Sequence, residues 1–313
     1  MKKLVIIALF FMLIGCSNST ETLKFATGSV GGVYYPLGGG ISETLTDNIE
    51  DTLVNAYTGN ASVSNSNLIN QGEVDLALVQ SNVASWAIEG VDMFDEPLEE
   101  LRGIASLYSE VIQVIVRKDA GIDSFNDLVG KNVSVGKIDS GNYFDAINLM
   151  DAHGIDLASM NAKYLSFGEA FDMMINKELD AVFITSGIPT SSVALMASKV
   201  DVKLLEIDEN IMQELIESFP YYTLEIIPAE TYPGSESDVF ALSTRALWIC
   251  NKDLDDDLVY EMLKVYYEEL NILKSIHVSL DQESKETALK GMSIPIHPGA
   301  LKYYKEIGLE VDN

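Results

Sequence analysis

The sequence predicts an α/β protein, and three observations carry that reading. Short apolar runs of strand length alternate with helical patterns along the chain. The run Val74–Val79, VDLALV, is almost continuously apolar, as a parallel strand covered on both faces should be. A strand, a Ser/Gly turn and a helix start follow one another twice, near residue 30 and again near residue 140. That repetition divides the chain into two halves of similar pattern.

Residues 1–15 read as an export segment rather than as part of the fold. Lys2 and Lys3 precede the apolar stretch Leu4–Ile14, whose eleven residues are too few to span a bilayer. The stretch closes on Leu13-Ile14-Gly15-Cys16, which resembles the bacterial lipobox. Cys16 is therefore expected to carry a lipid after cleavage, with residues 16–21 as a polar tether; an ordinary signal peptide beside an incidental cysteine is the plainer alternative.

Leu23–Ala26 reads as the first strand. Ala26–Gly40, ATGSVGGVYYPLGGG, follows as a glycine-rich turn ahead of a helix from Ile41. Gly28, Gly31 and Gly32 let backbone approach a ligand where a Cβ would block it. The helix start offers unpaired N–H groups suited to a carboxylate or phosphate. Ser29, Tyr34 and Tyr35 add hydroxyls to the same turn. The spacing is not that of a dinucleotide site, because Val30 stands where the second glycine would be.

Leu53–Tyr57 reads as a strand and Ala61–Asn70 as a helix, with Asn60 or Ser62 as cap and Gly72 as stop. VDLALV ends in Gln80-Ser81-Asn82, which puts polar groups at a strand's carboxyl end, where open α/β sheets bind ligands. Val83–Ile88 is helical. Leu101–Leu107 and Val111–Arg117 read as two strands, the second crossing into another lobe. Ile122–Leu128 reads as a short helix. Val133–Gly136 then leads through Lys137–Asn142 into a helix over Tyr143–Ala152. Ser140, Gly141 and Asn142 thus occupy the place in the second half that Ser29–Gly32 occupy in the first. Ala162–Ser166, Phe167–Asn176 and Leu179–Ile184 read as strand, helix and strand, ending at Thr185-Ser186-Gly187. A helix over Pro189–Ser198 and strands at Lys203–Glu206, Thr223–Ile227 and Val239–Cys250 follow; the last is a return crossing. Leu254–His277 carries an apolar stripe at helical spacing and reads as one helix.

Composition narrows the function. The net charge of −28 becomes −30 once Lys2 and Lys3 are removed, and the arginines are Arg102, Arg117 and Arg245 alone. Nothing supplies a basic face, so nucleic acid is not an expected partner. Acids are spread through the whole chain, which reads as a solvated surface rather than a cation site. Cys250 lies in an apolar run and reads as a buried inert thiol. The 298 residues left after removal of the leader suit two lobes.

Catalytic signatures are missing. His153, His277 and His297 lie far apart without metal-ligand spacing, and neither a nucleophile elbow nor a phosphate-binding loop occurs. No cofactor or metal is expected. An exported hydrolase using Ser81 or Ser140 stays open as an alternative, although no motif asks for it. Two polar turns, each with a helix start, fit better with capture of a small anion in a cleft.

Several runs together resemble the TAXI solute-binding proteins of TRAP transporters: TGSVGGVYYPLGGG, GEVDLALVQSN, LRGIASLY, VIVRKDAGI, VSVGKIDSGN, YLSFGEA, IPAETYPG and GMSIPIHPGALKYYKEIG. The similarity extends from about Leu23 to about Gly308. It implies a two-lobed type II periplasmic-binding-protein fold, with residues 22–112 plus 246–313 in one lobe and 113–245 in the other. It also implies an exported, monomeric receptor that catches a glutamate-like amino acid or a dicarboxylate and delivers it to a membrane permease; a receptor of the same fold feeding a signalling protein is the alternative. By position, Ser29, Gly31, Gly32, Tyr34, Tyr35, Gln80 and Ser81 would line one lobe. Ser140, Gly141, Asn142, Thr185, Ser186 and Thr190 would face them from the other. The family's second turn is usually close to GSGTE. Here Asp139-Ser140-Gly141-Asn142-Tyr143 stands in its place, which bears on the ligand and not on the fold. Arg117 and Arg245 match family arginines and read as pins for the crossing strands, with a carboxylate clamp as the alternative.

Overall fold

Two strands far longer than the rest, Leu101–Arg117 and Val239–Asn251, run antiparallel through the middle of the molecule and join its two lobes. The computed structural model describes residues 20–59 and 62–311. Cys16 and Asn60 lie outside the described residues.

In chain order the first lobe contributes β1 (Glu21–Ala26), α1 (Tyr34–Asn48), β2 (Thr52–Tyr57), α2 (Ser62–Asn70), β3 (Leu76–Gln80) and α3 (Ser81–Glu89). The first long strand is β4. Beyond it come β5 (Asn132–Ser134), α4 (Gly141–Ala152), β6 (Asn161–Lys163), α5 (Phe167–Ile175), β7 (Ala181–Ser186) and α6 (Ser191–Ala197). β8 (Val202–Leu204), α7 (Glu209–Ser218) and β9 (Thr223–Ile227) precede the second long strand, β10. The chain ends with α8 (Asp256–Glu268), α9 (Leu270–Ile276) and α10 (Pro298–Glu306).

The strands form one continuous curled sheet in the order β2-β1-β3-β10-β4-β7-β5-β6. β1 is parallel to β2 and β3, and β5 is parallel to β6 and β7. The long strands divide their pairing between the lobes. Ala246–Cys250 of β10 pairs with β3, whereas Val239–Ser243 pairs with β9. Val111–Val116 of β4 pairs with β7. The β4–β10 register shifts between Ala246 and Leu247, next to the crossing. A bulge there adds twist and bends the ribbon between the lobes. The carboxyl ends of β1 and β3 thereby come to face those of β5 and β7 across a crevice, where this class of sheet binds ligands.

Each lobe has apolar packing on both faces of its sheet. In the first, Phe25, Leu37, Ile41 and Trp248 pack with Val259, Met262, Leu263 and Tyr266 of α8. Trp248 lies between Phe25 and Tyr266, with ring centroids 6.1 and 5.7 Å away. The opposite face holds Val79, Val83, Trp86 and Ile249. In the second lobe Val114, Val133, Leu149 and Phe183 lie on one face, and Ile115, Met174, Ile184 and Val193 on the other.

The structure corrects several element boundaries. Leu101–Leu107 and Val111–Arg117 are one strand, because pairing with β10 carries the backbone straight through Tyr108-Ser109-Glu110. α1 begins at Tyr34 and contains Gly38–Gly40. Pro36 is tolerated in its first turn. Gly38 is needed for close packing, since a Cβ there would sit 2.2 Å from Thr27 Cγ2. The single helix expected over Leu254–His277 bends at Glu269 into α8 and α9, which lets Leu273 bury and Ile276 reach Gly40. α7 had no counterpart in the sequence reading; Asp208 caps it by accepting from Asn210 N and Ile211 N.

Candidate functional site

The crevice is built at the ends of strands and the starts of helices. From the first lobe, Gly28, Ser29, Gly32, Val33 and Tyr34 come from the β1–α1 turn, with Ser62 and Gln80 beside them. From the second, Lys137, Ser140 and Asn142 come from the turn into α4, Leu165, Ser166 and Phe167 from the turn into α5, and Thr185 and Ser186 from the end of β7. Glu110 of β4 lines the crevice from the junction of the lobes. The empty space among these residues, mouth included, is about 630 Å³.

Local chemistry holds each wall in place. Ser140 caps α4, accepting from Tyr143 N at 3.2 Å and donating to Lys137 O at 2.6 Å. Asn142 ties the carboxyl ends of β5 and β7 together. Its Nδ2 donates to Val135 O and Phe183 O at 3.3 and 3.1 Å, and its Oδ1 accepts from Thr185 N at 2.5 Å. No side chain caps the start of α1, so the first turn of that helix enters the crevice with its N–H groups free of a side-chain cap.

Beneath the crevice Asp145 joins the lobes. Gln80 Nε2 and Asn82 Nδ2, from the first lobe, donate to it at 2.9 and 3.2 Å. Thr185 Oγ1 and the Tyr222 hydroxyl, from the second, donate at 2.8 and 2.9 Å. Burial raises the Asp145 carboxyl to about 6, and these four donors hold it from rising further. At the mouth Ser192 Oγ donates to Gly31 O at 2.5 Å, and Phe167 lies against Gly31. Gly141 lies so close to Gln80 that a Cβ would fall 1.7 Å from Gln80 Oε1. The lobes are in contact on both sides of the crevice, which is a closed arrangement.

Eight of the residues singled out in the sequence line the crevice: Ser29, Gly32, Tyr34, Gln80, Ser140, Asn142, Thr185 and Ser186. Gly31 and Gly141 instead stand at contacts between the lobes. Tyr35 lies off the lining and is 40% exposed, because it follows Tyr34 on the helix and points to another side. Ser81 is buried behind the lining, where its Oγ accepts from Arg245 N at 3.1 Å. Thr190 sits under the floor, accepting from Gln113 Nε2 at 3.3 Å and donating to Gly187 O. Asp139 and Tyr143 are likewise off the lining, with Tyr143 packed on Phe144 and Tyr164.

The arginines pin strands. Arg117 donates to Leu179 O and pairs with Asp119 and Asp180 at 2.6 and 2.8 Å. Arg245 donates to Ser106 Oγ at 2.9 Å and lies 3.8 Å from Glu283. Cys250 is buried, and burial pushes its thiol upward. His153 stacks on Phe125 at 3.8 Å, His277 caps a short turn by accepting from Ser279 N, and His297 caps α10 by accepting from Gly299 N. Among the described residues no group of three or more His, Cys, Asp or Glu is placed to hold a metal ion.

Glu110 and Lys137 are lining residues that the sequence reading did not select. Glu110 is 4% exposed and accepts from the Tyr34 hydroxyl at 2.5 Å. Burial drives its carboxyl up to about 8, with the Tyr34 bond and Arg245 acting in the opposite sense. Its signal in the sequence is an acid set between two long apolar runs.

A continuous curled sheet, two lobes and a crevice at facing strand ends define the fold of the periplasmic binding proteins. Three solved structures share it at low identity. The alkanesulfonate-binding protein SsuA from Xanthomonas axonopodis pv. citri, bound to MOPS, is 12% identical with a TM-score of 0.53, covering 92% of this chain and 84% of that one. MatC from Rhodopseudomonas palustris, with bound malate, is 13% identical with a TM-score of 0.56, covering 92% and 96%. The periplasmic binding protein BugD is 12% identical with a TM-score of 0.56, covering 93% and 98%. Residues 25–308 match the model of the NMT1-like family, and the chain belongs to that family. Among the described residues no helix is long and apolar enough to cross a membrane.

Proposed function

We propose that this chain is an exported, lipid-anchored solute receptor that closes over a small carboxylate and hands it to a TRAP-type secondary transporter. The observation that carries the reading is the crevice between the lobes, lined at strand ends and helix starts from both sides. Backbone N–H groups at such ends, with Ser, Thr and Asn side chains among them, suit a carboxylate. The malate in MatC supports a ligand of that class. Membership of the NMT1-like family and the shared fold support binding without covalent chemistry. The TRAP-type partner rests on the resemblance to TAXI proteins, as do the glutamate-like and dicarboxylate ligand classes.

The receptor reading is tested by mass spectrometry of the solute released when the purified mature protein is denatured. One small carboxylate at near-equal molar amount is expected, and adding it back should raise the melting temperature by mass action. A protein that releases no solute and is stabilised by no carboxylate contradicts the reading. Anchoring is tested separately. Labelled fatty acid should enter the wild-type protein and fail to enter the Cys16→Ala variant; equal labelling of both would rule out a lipid on Cys16.

A further inference from the structure

Among the described residues one acid and one base line the crevice, Glu110 and Lys137, and neither has a counter-ion within 4.0 Å. Among the described residues Glu110 receives one hydrogen bond, from Tyr34, and no ion pair within 4.0 Å. Lys137, at the opposite lobe's turn, makes no ion pair within that distance either, although its charge is felt at exposed Glu169. A buried carboxylate without a cation is costly and either takes up a proton or finds a partner. Val33, Leu165 and Phe167 supply apolar wall in the same crevice.

We propose that Glu110, oriented by Tyr34, receives a ligand ammonium while Lys137 and the helix starts receive one carboxylate, so that the solute is an amino acid of zero net charge. The assignment rests on the receptor reading above and narrows it. A dicarboxylate brings no ammonium, so Glu110 would have to keep its proton and the second carboxylate would have no cation; an acidic amino acid likewise carries one carboxylate more than the single lining base can pair. A neutral zwitterion matches one acid and one base with nothing left over, and its side chain would meet the apolar wall. Tyr34, Tyr108, Arg245 and Asp145 are the titratable groups facing Glu110 from α1, β4, β10 and α4. Arg245 is committed to Ser106, Ser109 and Glu283. An arriving ammonium would therefore displace a proton from Glu110 rather than compete with a resident cation.

The test is calorimetric titration of the mature protein in detergent with matched pairs. The pairs are leucine and 4-methylpentanoate, phenylalanine and 3-phenylpropanoate, and glutamate and glutarate, with succinate added. A neutral amino acid should bind, and its deaminated partner should bind about 100-fold more weakly or worse, because a buried charged group is left unpaired. Repeating the titration near pH 7 in buffers of different ionisation enthalpy should show proton release on binding. Glu110→Gln should lose both the preference for the amine and the proton release, with an unchanged circular dichroism spectrum. Lys137→Met should weaken both members of a pair alike. Tight binding of glutarate or succinate in preference to every amino acid overturns the assignment and leaves the receptor reading standing. So does a Glu110→Gln variant that keeps the preference for the amine. If nothing in the panel binds, the assignment falls; the receptor reading falls with it only if denaturation also releases no solute.

Discussion

Glu110 shows how one residue sets a measurable property of the whole protein. Its carboxyl is raised from 4.5 to about 8, mainly by burial. The folded state therefore holds its proton more tightly than the unfolded state does, so its contribution to stability is whole below about pH 4.5 and is lost as pH rises through about 8. Glu283 is raised to about 8 as well, mainly by burial, and adds to the same slope, whereas the three histidines, shifted downward by burial, act in the opposite sense. Denaturant titrations should give lower stability at pH 8.5 than at pH 7, and Glu110→Gln should make that slope shallower while leaving the share that Glu283 contributes. Equal slopes in both proteins would mean that Glu110 is not the group responsible. Asp145 behaves differently, because four donors converge on it from both lobes. Asp145→Ala strands those donors and should cost about 2–4 kcal/mol in the same titrations. A cost below about 1 kcal/mol would show that water replaces the carboxylate.

At the scale of elements, the site was legible where punctuation marks it. Glycine and serine at the ends of apolar runs located the turns into α1 and α4 and the ends of β3 and β7, because strand ends and helix starts need those residue types. Glu110 was not legible for the opposite reason. Tyr108-Ser109-Glu110 looks like a break between two strands, and only pairing with β10 makes it strand interior. Tyr35, Ser81 and Thr190 carry the right chemistry but lie one step off the lining, since a neighbour on a helix or strand points elsewhere. Gly141 tests the element account directly. It opens α4 with no left-handed backbone, so leucine there should improve the helix while crowding Gln80 across the crevice. Gly141→Leu should keep its fold and lose solute affinity by roughly 5- to 150-fold, as expected for about 1–3 kcal/mol of crowding. Unchanged affinity would indicate that the lobes do not approach there when solute is bound.

At the scale of the molecule, two antiparallel strands are the connection between lobes, and their register shifts beside the crossing. Such a ribbon can bend with few dihedral changes, while the closed form is held by Asp145 with its four donors, by Gly31 with Ser192, and by Trp86 of the first lobe packed on Phe144 and Tyr221 of the second. The fold class and the pairing of two similar halves were legible because strand–turn–helix units repeat. The break between α8 and α9, and α7 itself, were not, because each depends on packing against distant parts of the chain. Closure over the solute is the central claim. Val30 and Leu195 are 71% and 59% exposed and flank the Gly31–Ser192 contact at the mouth, and Cys250 is buried. Spin labels on Val30→Cys and Leu195→Cys, in a Cys16→Ser background, can therefore report the gap between lobes by pulsed electron resonance. The account predicts a broad distribution with a long-distance component in solute-free protein, collapsing to one short distance when the released solute is returned. A distribution that does not change at saturating solute would contradict it.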